Sequence, residues 1–278
     1  MGLNLDAVGK RTLEFARRYD WKDVVLYALG VGASSEELGY LYEARGPMVL
    51  PTYAVVPAYA AQAALLQAIG GNYLGVVHSA QTVRLHRPFA PSATLRTTGV
   101  VDGIYDLKRM AQVVISTRTL DQDGVVICET SCSMIYRLDG GFGGPPPPRP
   151  ARFRPPAREP DFVCEDRTTP EQAVLYRLSG DLNPLHIDPD TAEQAGFGRP
   201  ILHGLCTYGF VGRALLRKAA GGDPARFKTL SGQFRRPVWP GETLVTQGWH
   251  DEGKWLLRAY TLERPKEYVF GNAYAELS

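Results

Sequence analysis

The sequence predicts an α+β fold that is present twice, and three observations support this prediction. In each half of the 278-residue chain, one long apolar helix-like segment is followed by a run of strand-like segments. Two pieces of sequence recur at a constant distance along the chain. Between the copies lies a segment rich in proline and glycine, which favours neither a helix nor a central strand. One helix followed by several strands is typical of α+β proteins, whereas βαβ proteins alternate the two.

The internal repeat has an offset of 149 residues. Val25–Leu29 (VLYAL) recurs as Val174–Leu178 (VLYRL), from Tyr27 to Tyr176, and Arg87–Leu95 (RPFAPSATL) recurs as Arg236–Leu244 (RPVWPGETL). Two separate matches at one offset indicate a duplicated unit. We therefore expect an N-terminal unit over residues 1–139, a Pro/Gly-rich linker over 140–160 and a C-terminal unit over 161–278.

Hydrophobic periodicity predicts the same element order in both units. The first unit has an Ala-rich helix-like run over Gly46–Gln67 and strands over Val76–His86, Ala93–Val101, Gln112–Asp121 and Val125–Tyr136. The second unit has a helix over Leu205–Ala219 and strands over Lys228–Phe234, Thr243–His250, Trp255–Thr261 and Tyr268–Leu277.

Composition excludes several classes of protein. The chain is 44% hydrophobic and 22% charged, which is normal for a globular protein, and its net charge of +2 argues against a nucleic-acid-binding surface. No apolar run approaches the length of a membrane span, and the N-terminus has no signal-peptide pattern. The four cysteines form no zinc pattern and are expected to be reduced thiols. A cytoplasmic protein without nucleic-acid or membrane partners is expected.

The chemistry of the sequence is concentrated in Tyr176–Leu205 (YRLSGDLNPLHIDPDTAEQAGFGRPILHGL). Because Asn183 precedes a proline, it is pushed out of the α region, and no single helix can run from Asp181 to His186. The resulting turn places a carboxylate and an imidazole on one wall of a small cavity, with the Asn183 amide between them. Such a pair can handle the protons of one water molecule.

Gly204 stands where the predicted second helix begins. Its backbone N–H has no partner within a helix and lies at the positive end of the helix dipole. This is a suitable position for stabilising a developing oxyanion.

Two other interpretations of this stretch remain open at the level of the residues. Asp-Leu-Asn-Pro alone is compatible with a simple Asx turn, and a histidine among apolar residues is compatible with a structural role. A metal site is not predicted, because Asp181, His186 and Asp188 lack tight spacing and the nearest sulfur, Cys206, lies within the apolar helix.

The run Tyr176-x-Leu178-Ser179-Gly180-Asp181-x-Asn183-Pro184-Leu185-His186, followed by Ala192, resembles the signature of the (R)-specific enoyl-CoA hydratases, the hydratase 2 or MaoC-like group. Every specified position of that signature is met. The resemblance implies that Asp181 and His186 are the catalytic pair, with Asn183 beside them and Gly204 as the oxyanion amide. It further implies two tandem hot-dog domains, each a curved antiparallel sheet wrapped around a long helix, that form a pseudo-dimer.

Further positions carry over from the resemblance to the binding of the CoA thioester. These are Phe234 before the Arg-Pro-x-x-Pro-Gly run, His78 and Ser79 at the start of a strand, and Lys108 after the next strand. Ser79 departs from the His-Gly pair of the family, and Lys108 aligns only loosely. At the offset of 149, Asp181 falls on Gly32 and His186 falls on Glu37, so the first unit lacks the pair and is expected to bind the acyl-CoA.

The resemblance implies reversible hydration of trans-2-enoyl-CoA to (3R)-3-hydroxyacyl-CoA by a homodimeric enzyme. No metal or redox cofactor is expected, because the thioester already acidifies the neighbouring carbon and CoA is part of the substrate. The small side chains of Gly46–Gln67 are expected to leave room for a bulky acyl chain. A dehydratase acting on a carrier-protein thioester is one alternative, and a hot-dog thioesterase or a non-catalytic acyl-CoA binder is another.

Overall fold

The computed structural model describes residues 2–278, which form one ten-stranded antiparallel sheet with helices. The first half contributes β1 (Phe15–Tyr19), β2 (Val76–Leu85), β3 (Ala93–Asp106), β4 (Ala111–Leu120) and β5 (Val126–Tyr136). The second half contributes β6 (Phe162–Arg167), β7 (Phe227–Phe234), β8 (Thr243–Asp251), β9 (Lys254–Thr261) and β10 (Arg264–Leu277). All eight predicted strands are confirmed, with ends that move by a few residues.

The order of the strands shows that the two halves are related by a pseudo-twofold axis. The sheet runs β1-β3-β4-β5-β2 and then β7-β10-β9-β8-β6, so the second half repeats the first in reverse. At the centre, Thr82 of β2 pairs with Ser231 of β7, and their hydroxyl oxygens are 2.7 Å apart. These two residues are separated by 149 positions, the offset of the sequence repeat. The predicted double hot-dog arrangement is therefore confirmed.

The helices are α1 (Trp21–Gly30), α2 (Leu38–Leu41), α3 (Val55–Ile69), α4 (Gln172–Tyr176), α5 (Pro189–Gln194) and α6 (Gly204–Ala219). The long helices α3 and α6 begin at equivalent positions of the repeat. Helix α6 is buried from Leu205 through Leu216. The positive charges of Arg217 and Lys218 in its last turn interact favourably with the negative end of the helix dipole. A Cβ on Gly209 would lie 2.3 Å from the Val31 side chain, so the glycine allows α6 to pack closely against the first half.

Two predictions about secondary structure need correction. The helix predicted over Gly46–Gln67 begins only at Val55, because Pro51–Ala54 forms a 3₁₀ helix before it. The strands β1 and β6, which are short and lie at the two edges of the sheet, were also not predicted. Their alternation of buried and exposed residues covers only five and six positions.

One face of α3 packs closely against the sheet. Ala58 and Ala61 are fully buried, and a Cβ placed on Gly99 of β3 would lie 3.3 Å from the Cβ of Ala61. The small side chains on this face therefore allow a close approach of helix and sheet.

The segment between β5 and β6 crosses from one half to the other as irregular backbone. Asn272 of β10 anchors it, since its side chain accepts from the backbone N–H of Phe153 at 2.8 Å and donates to the carbonyl of Ala151 at 3.0 Å. The Phe153 ring packs on Tyr274, with centroids 4.3 Å apart. Within residues 2–278, all four cysteines are buried and unpaired, and no helix is long and apolar enough to cross a membrane.

Candidate active site

The loop after α4 builds the predicted turn. The chain passes through a 3₁₀ helix over Arg177–Ser179 and reverses at Gly180, whose φ of 130° suits a glycine. A second 3₁₀ helix covers Pro184–His186. Asn183 between them is extended, with φ −54° and ψ 123°, as expected for a residue before proline. Asp181 lies at the start of this turn, directly after Gly180, and His186 lies at its end, in the second 3₁₀ helix.

Asn183 holds this turn together. Its side-chain oxygen accepts a hydrogen bond from the N–H of Leu185 at 3.0 Å, which caps the 3₁₀ helix. Its own backbone N–H donates to the carboxylate of Asp181 at 3.3 Å. Asn183 is exposed, and these bonds give it a role in orienting the two flanking residues.

His186 is buried and held in one tautomer. Its Nδ1 lies 2.9 Å from the carbonyl oxygen of Ile201, which can only accept, so Nδ1 carries the proton. In the neutral ring Nε2 is then left with a free lone pair. Burial lowers the pKa of His186 from its ordinary value, and the nearby charge of Asp181 opposes this effect. The ring is therefore a neutral hydrogen-bond acceptor near pH 7.

His203 is a further residue of the site, with no role predicted from the sequence. Its ring stacks on that of His186, with centroids 3.7 Å apart, and its Nε2 donates to the backbone carbonyl of Asp181 at 3.1 Å. Burial holds its pKa well below the usual range. It thus fixes both members of the pair in relation to α6. The only sequence signal was its position directly before Gly204.

Asp181, His186 and His203 are close enough together to be tested as a metal site. Each offers one ligand atom, and these atoms lie within 4.8 Å of one another. However, a histidine binds a metal through an in-plane lone pair, and the two rings are stacked with only 29° between their planes. Their lone pairs cannot both point at one ion about 2 Å away. The arrangement suits a proton-handling pair better than a metal.

Gly204 begins α6 as predicted, and its surroundings bring two predicted binding residues together. His203 before it is extended, with φ −58° and ψ 136°, so the helix starts abruptly, and among the described residues the Gly204 N–H meets no acceptor. The Phe234 ring lies 3.5 Å from the position that a Cβ on Gly204 would take. His78 of the first half packs edge-on against this ring, with centroids 5.1 Å apart.

The other two predicted binding residues lie farther out. Ser79 sits at a bulge in the pairing of β2 with β5, and its hydroxyl donates to the carbonyl of Ser133 at 2.9 Å. Lys108 is exposed at the tip of the β3–β4 hairpin, on the far side of β5 from His78. The structure therefore brings His78 and Phe234 to Gly204 and leaves Lys108 at the rim of the sheet.

A double hot-dog fold with an Asp-His turn held to the start of a long helix by His203 is typical of the MaoC-like hydratases and dehydratases. Residues 18–138 match the family model of the MFE-2 hydratase 2 N-terminal domain, and residues 152–264 match that of the MaoC like domain. The chain belongs to this family.

Relatives match along nearly the whole chain. The chain is 37% identical to "Enoyl-CoA hydratase 2, peroxisomal" of Arabidopsis thaliana and 40% identical to "3-hydroxyacyl-thioester dehydratase Y" of Mycobacterium tuberculosis, in both cases over 91% of this chain and 89% of the relative. The crystal structure of a MaoC-like dehydratase from Phytophthora capsici superposes with a TM-score of 0.88 at 32% identity, covering 99% of this chain and 98% of that one.

Proposed function

We propose that this chain is a hydro-lyase that reversibly hydrates trans-2-enoyl-CoA to (3R)-3-hydroxyacyl-CoA. The observation that carries the proposal is the grouping of the Asp181 carboxylate with the acceptor nitrogen of His186, whose polar atoms and those of His203 lie within 4.8 Å of one another. His203 directly precedes Gly204, whose backbone N–H meets no acceptor among the described residues. The relatives named enoyl-CoA hydratase 2 and 3-hydroxyacyl-thioester dehydratase support this reaction class.

In this proposal Asp181 and His186 hold one water molecule between them. The water oxygen bonds to C3 of the enoyl group, and the electrons of the double bond shift toward the thioester oxygen. The Gly204 N–H stabilises that negative charge. The proton that the water loses enters the Asp-His pair, and a proton from the pair is added to C2. Water is thereby added across the double bond with no other reactant.

Turnover in this proposal requires no metal or redox cofactor, and CoA acts only as the carrier of the acyl group. Phe234 and His78 bind the thioester end of the substrate, with Ser79 and Lys108 farther along the CoA. The enzyme acts in the cytoplasm as a homodimer and has neither nucleic-acid nor membrane partners.

The test is the loss of enoyl-thioester absorbance, with the product coupled separately to (R)-specific and (S)-specific 3-hydroxyacyl-CoA dehydrogenases. We expect signal with the (R)-specific enzyme only. Asp181→Asn keeps the shape of the side chain and removes its proton chemistry, so kcat should fall by about 10³-fold. Circular dichroism of the variant should match the wild type.

The same assay separates the alternatives. Offering one acyl group on CoA and on a carrier protein distinguishes a hydratase of acyl-CoA from a dehydratase of carrier-bound chains. Release of free CoA would identify a thioesterase. Unchanged acyl-CoA that stays bound to the folded protein would identify a binder and contradict the proposal.

A further inference from the structure

Arg137, the first residue after β5, joins the two halves of the molecule. Its Nε donates to the carbonyl of Gly75 at 3.2 Å, and its Nη2 lies 3.5 Å from the carbonyl oxygen of Leu74, both in the first half. The same Nη2 donates to the carbonyl of Ala195, in the second half, at 2.8 Å. Ala195 ends α5, where the last carbonyls of a helix lack partners within it, so the positive charge stabilises this end of the helix.

Ala195 belongs to a small apolar cluster of the second half. The cluster consists of the buried residues Leu185, Ala192, Ala195 and Ile201, with Phe197 and Trp239 packed against them. The guanidinium of Arg137 also lies over the ring of Phe197, 5.4 Å from its centroid. Arg137 therefore holds the cluster at two points, the Ala195 carbonyl and the Phe197 ring.

This cluster places the ring of His186. Leu185 directly precedes His186 in the chain, and the carbonyl of Ile201 accepts the hydrogen bond from Nδ1 of His186 at 2.9 Å. Leu185 and Ile201 are each only 8% exposed. A shift of the cluster therefore moves both the ring and the acceptor that fixes its tautomer.

The loop that leads from α5 to Ile201 has few bonds of its own. Gly196 and Gly198 have φ of 82° and 71°, and a Cβ on either would meet nothing within 4 Å. Among the described residues, the backbone N–H groups of Gly198, Arg199 and Ile201 donate to no main-chain carbonyl. The contacts of Arg137 at the start of this loop are therefore an important part of what holds it in place.

We infer that Arg137 is a positioning residue, through which the first half holds the Ile201 carbonyl against Nδ1 of His186. Its consequence for catalysis rests on the proposed function. With this carbonyl in place, Nε2 of His186 is free to accept a proton from water. If the carbonyl moves away, either ring nitrogen can carry the proton, and a protonated Nε2 cannot accept another from water. The first half, which has no Asp-His pair of its own, thus contributes to turnover through this side chain.

The test compares Arg137→Ala with the wild type by two independent measurements. The first is steady-state kinetics with the better substrate of trans-2-butenoyl-CoA and trans-2-decenoyl-CoA. We expect kcat to fall by at least about tenfold and KM to stay within about twofold, because a misplaced acid-base group slows the chemical step and leaves binding intact.

The second measurement is the nitrogen NMR spectrum of protein with isotope-labelled histidines, of which the chain has five. The shifts of the two ring nitrogens distinguish the tautomers, and His186→Gln identifies the signals of His186 by their loss. The wild type should show a protonated Nδ1. In Arg137→Ala both shifts should move toward the averaged values of a mixed population. This measurement needs no substrate, so it tests Arg137 independently of the proposed reaction.

Matched variants complete the design. Arg118→Ala removes an arginine whose side chain is 60% exposed, and it should leave both measurements unchanged. Arg137→Lys keeps the charge and loses the planar fork, so it should show the same changes to a smaller extent. A low, non-denaturing concentration of guanidinium ion should restore part of the kcat of Arg137→Ala. Thermal melting verifies folding, and Arg137→Lys carries the test if the alanine variant does not fold.

The outcomes separate this inference from the proposed function. If the wild type hydrates neither substrate, the proposed function fails, and the tautomer of His186 alone decides on Arg137. Wild-type kcat and unchanged His186 signals in folded Arg137→Ala would show that the loop needs no support from the first half. A raised KM with unchanged kcat would mean that Arg137 binds the substrate instead. A lower kcat with the wild-type tautomer retained would also contradict the inference.

Discussion

The two halves share one fold, yet in the proposed function only the second supplies the catalytic groups. Asp181 of the second half corresponds to Gly32 of the first, with φ +82°. A Cβ on Gly32 would lie 2.2 Å from the ring of Phe210, so no carboxylate fits there. His186 corresponds to Glu37, whose carboxylate is 2.8 Å from the guanidinium of Arg213 on α6. The first half uses its equivalent positions to hold the helix of the second.

The two long helices also differ at their N-termini, where the first N–H group is hydrogen-bonded in the first half and free in the second. Val55, the counterpart of Gly204, donates its N–H to the carbonyls of the preceding 3₁₀ helix. Gly204 follows an extended residue, and within residues 2–278 its N–H meets no acceptor. The first unit thus uses its polar groups for internal bonds, whereas the second leaves the equivalent amide free for the chemistry proposed above.

The largest effect expected from this comparison is on the Gly204 amide. Gly204→Pro removes the N–H of residue 204. The second half then resembles the first, in which the N–H of the counterpart Val55 is already hydrogen-bonded. Proline is tolerated at the first position of a helix, and His203 before it already has the extended backbone that proline requires. Loss of one oxyanion donor should lower kcat by about 10²-fold with little change in folding.

Gly204→Ala is the matched control for this prediction. It keeps the N–H, and its methyl group would meet the Phe234 ring at an ordinary contact distance of 3.5 Å. Steady-state kinetics of both variants gives the comparison. Equal losses in the alanine and proline variants would show that space at Gly204 matters and that its amide does not.

A smaller effect, on stability, is expected at Glu37, the counterpart of His186, which forms an ion pair with Arg213. Glu37→Gln weakens the ion pair with Arg213, whose side chain is only 4% exposed and keeps its second partner, Asp166. The free energy of unfolding should fall by about 2 kcal/mol, as expected for a hydrogen bond to a charged group. Urea denaturation measures this loss.

The kinetics of Glu37→Gln should contrast with those of the pair in the second half. Because Glu37 bonds to α6 away from the reacting atoms, kcat at a temperature where the variant is folded should stay within about twofold of the wild type. A fall in kcat as large as that expected for Asp181→Asn would place Glu37 in the catalytic machinery and overturn the comparison.

The sequence predicted those features that depend on neighbouring residues. The proline after Asn183 determined the turn, and the apolar run after Gly204 determined α6 and its free amide. The stacking of His203 on His186 was not predictable, because it depends on how the loop folds back onto α6.

The last prediction concerns the response of stability to pH, to which both halves contribute. Burial lowers the pKa of His78 in the first half to about 4, and it also lowers those of His186 and His203 in the second. Each unfolded histidine titrates near 6.5 and so binds more protons than the folded one below that pH. The stability associated with the neutral rings is therefore fully present above about pH 6.5 and is lost as the pH falls toward the folded values.

Urea denaturation between pH 7 and pH 5 measures this contribution, because histidines titrate in this range and most carboxylates titrate below it. The free energy of unfolding should decrease with falling pH, by up to about 1.4 kcal/mol per unit for each histidine. His78→Gln removes the contribution of the first half and should leave a shallower slope that belongs to the stacked pair. A slope that His78→Gln leaves unchanged would mean that His78 takes up its proton as readily in the folded protein as in the unfolded chain. His186 and His203 would then account for the whole slope.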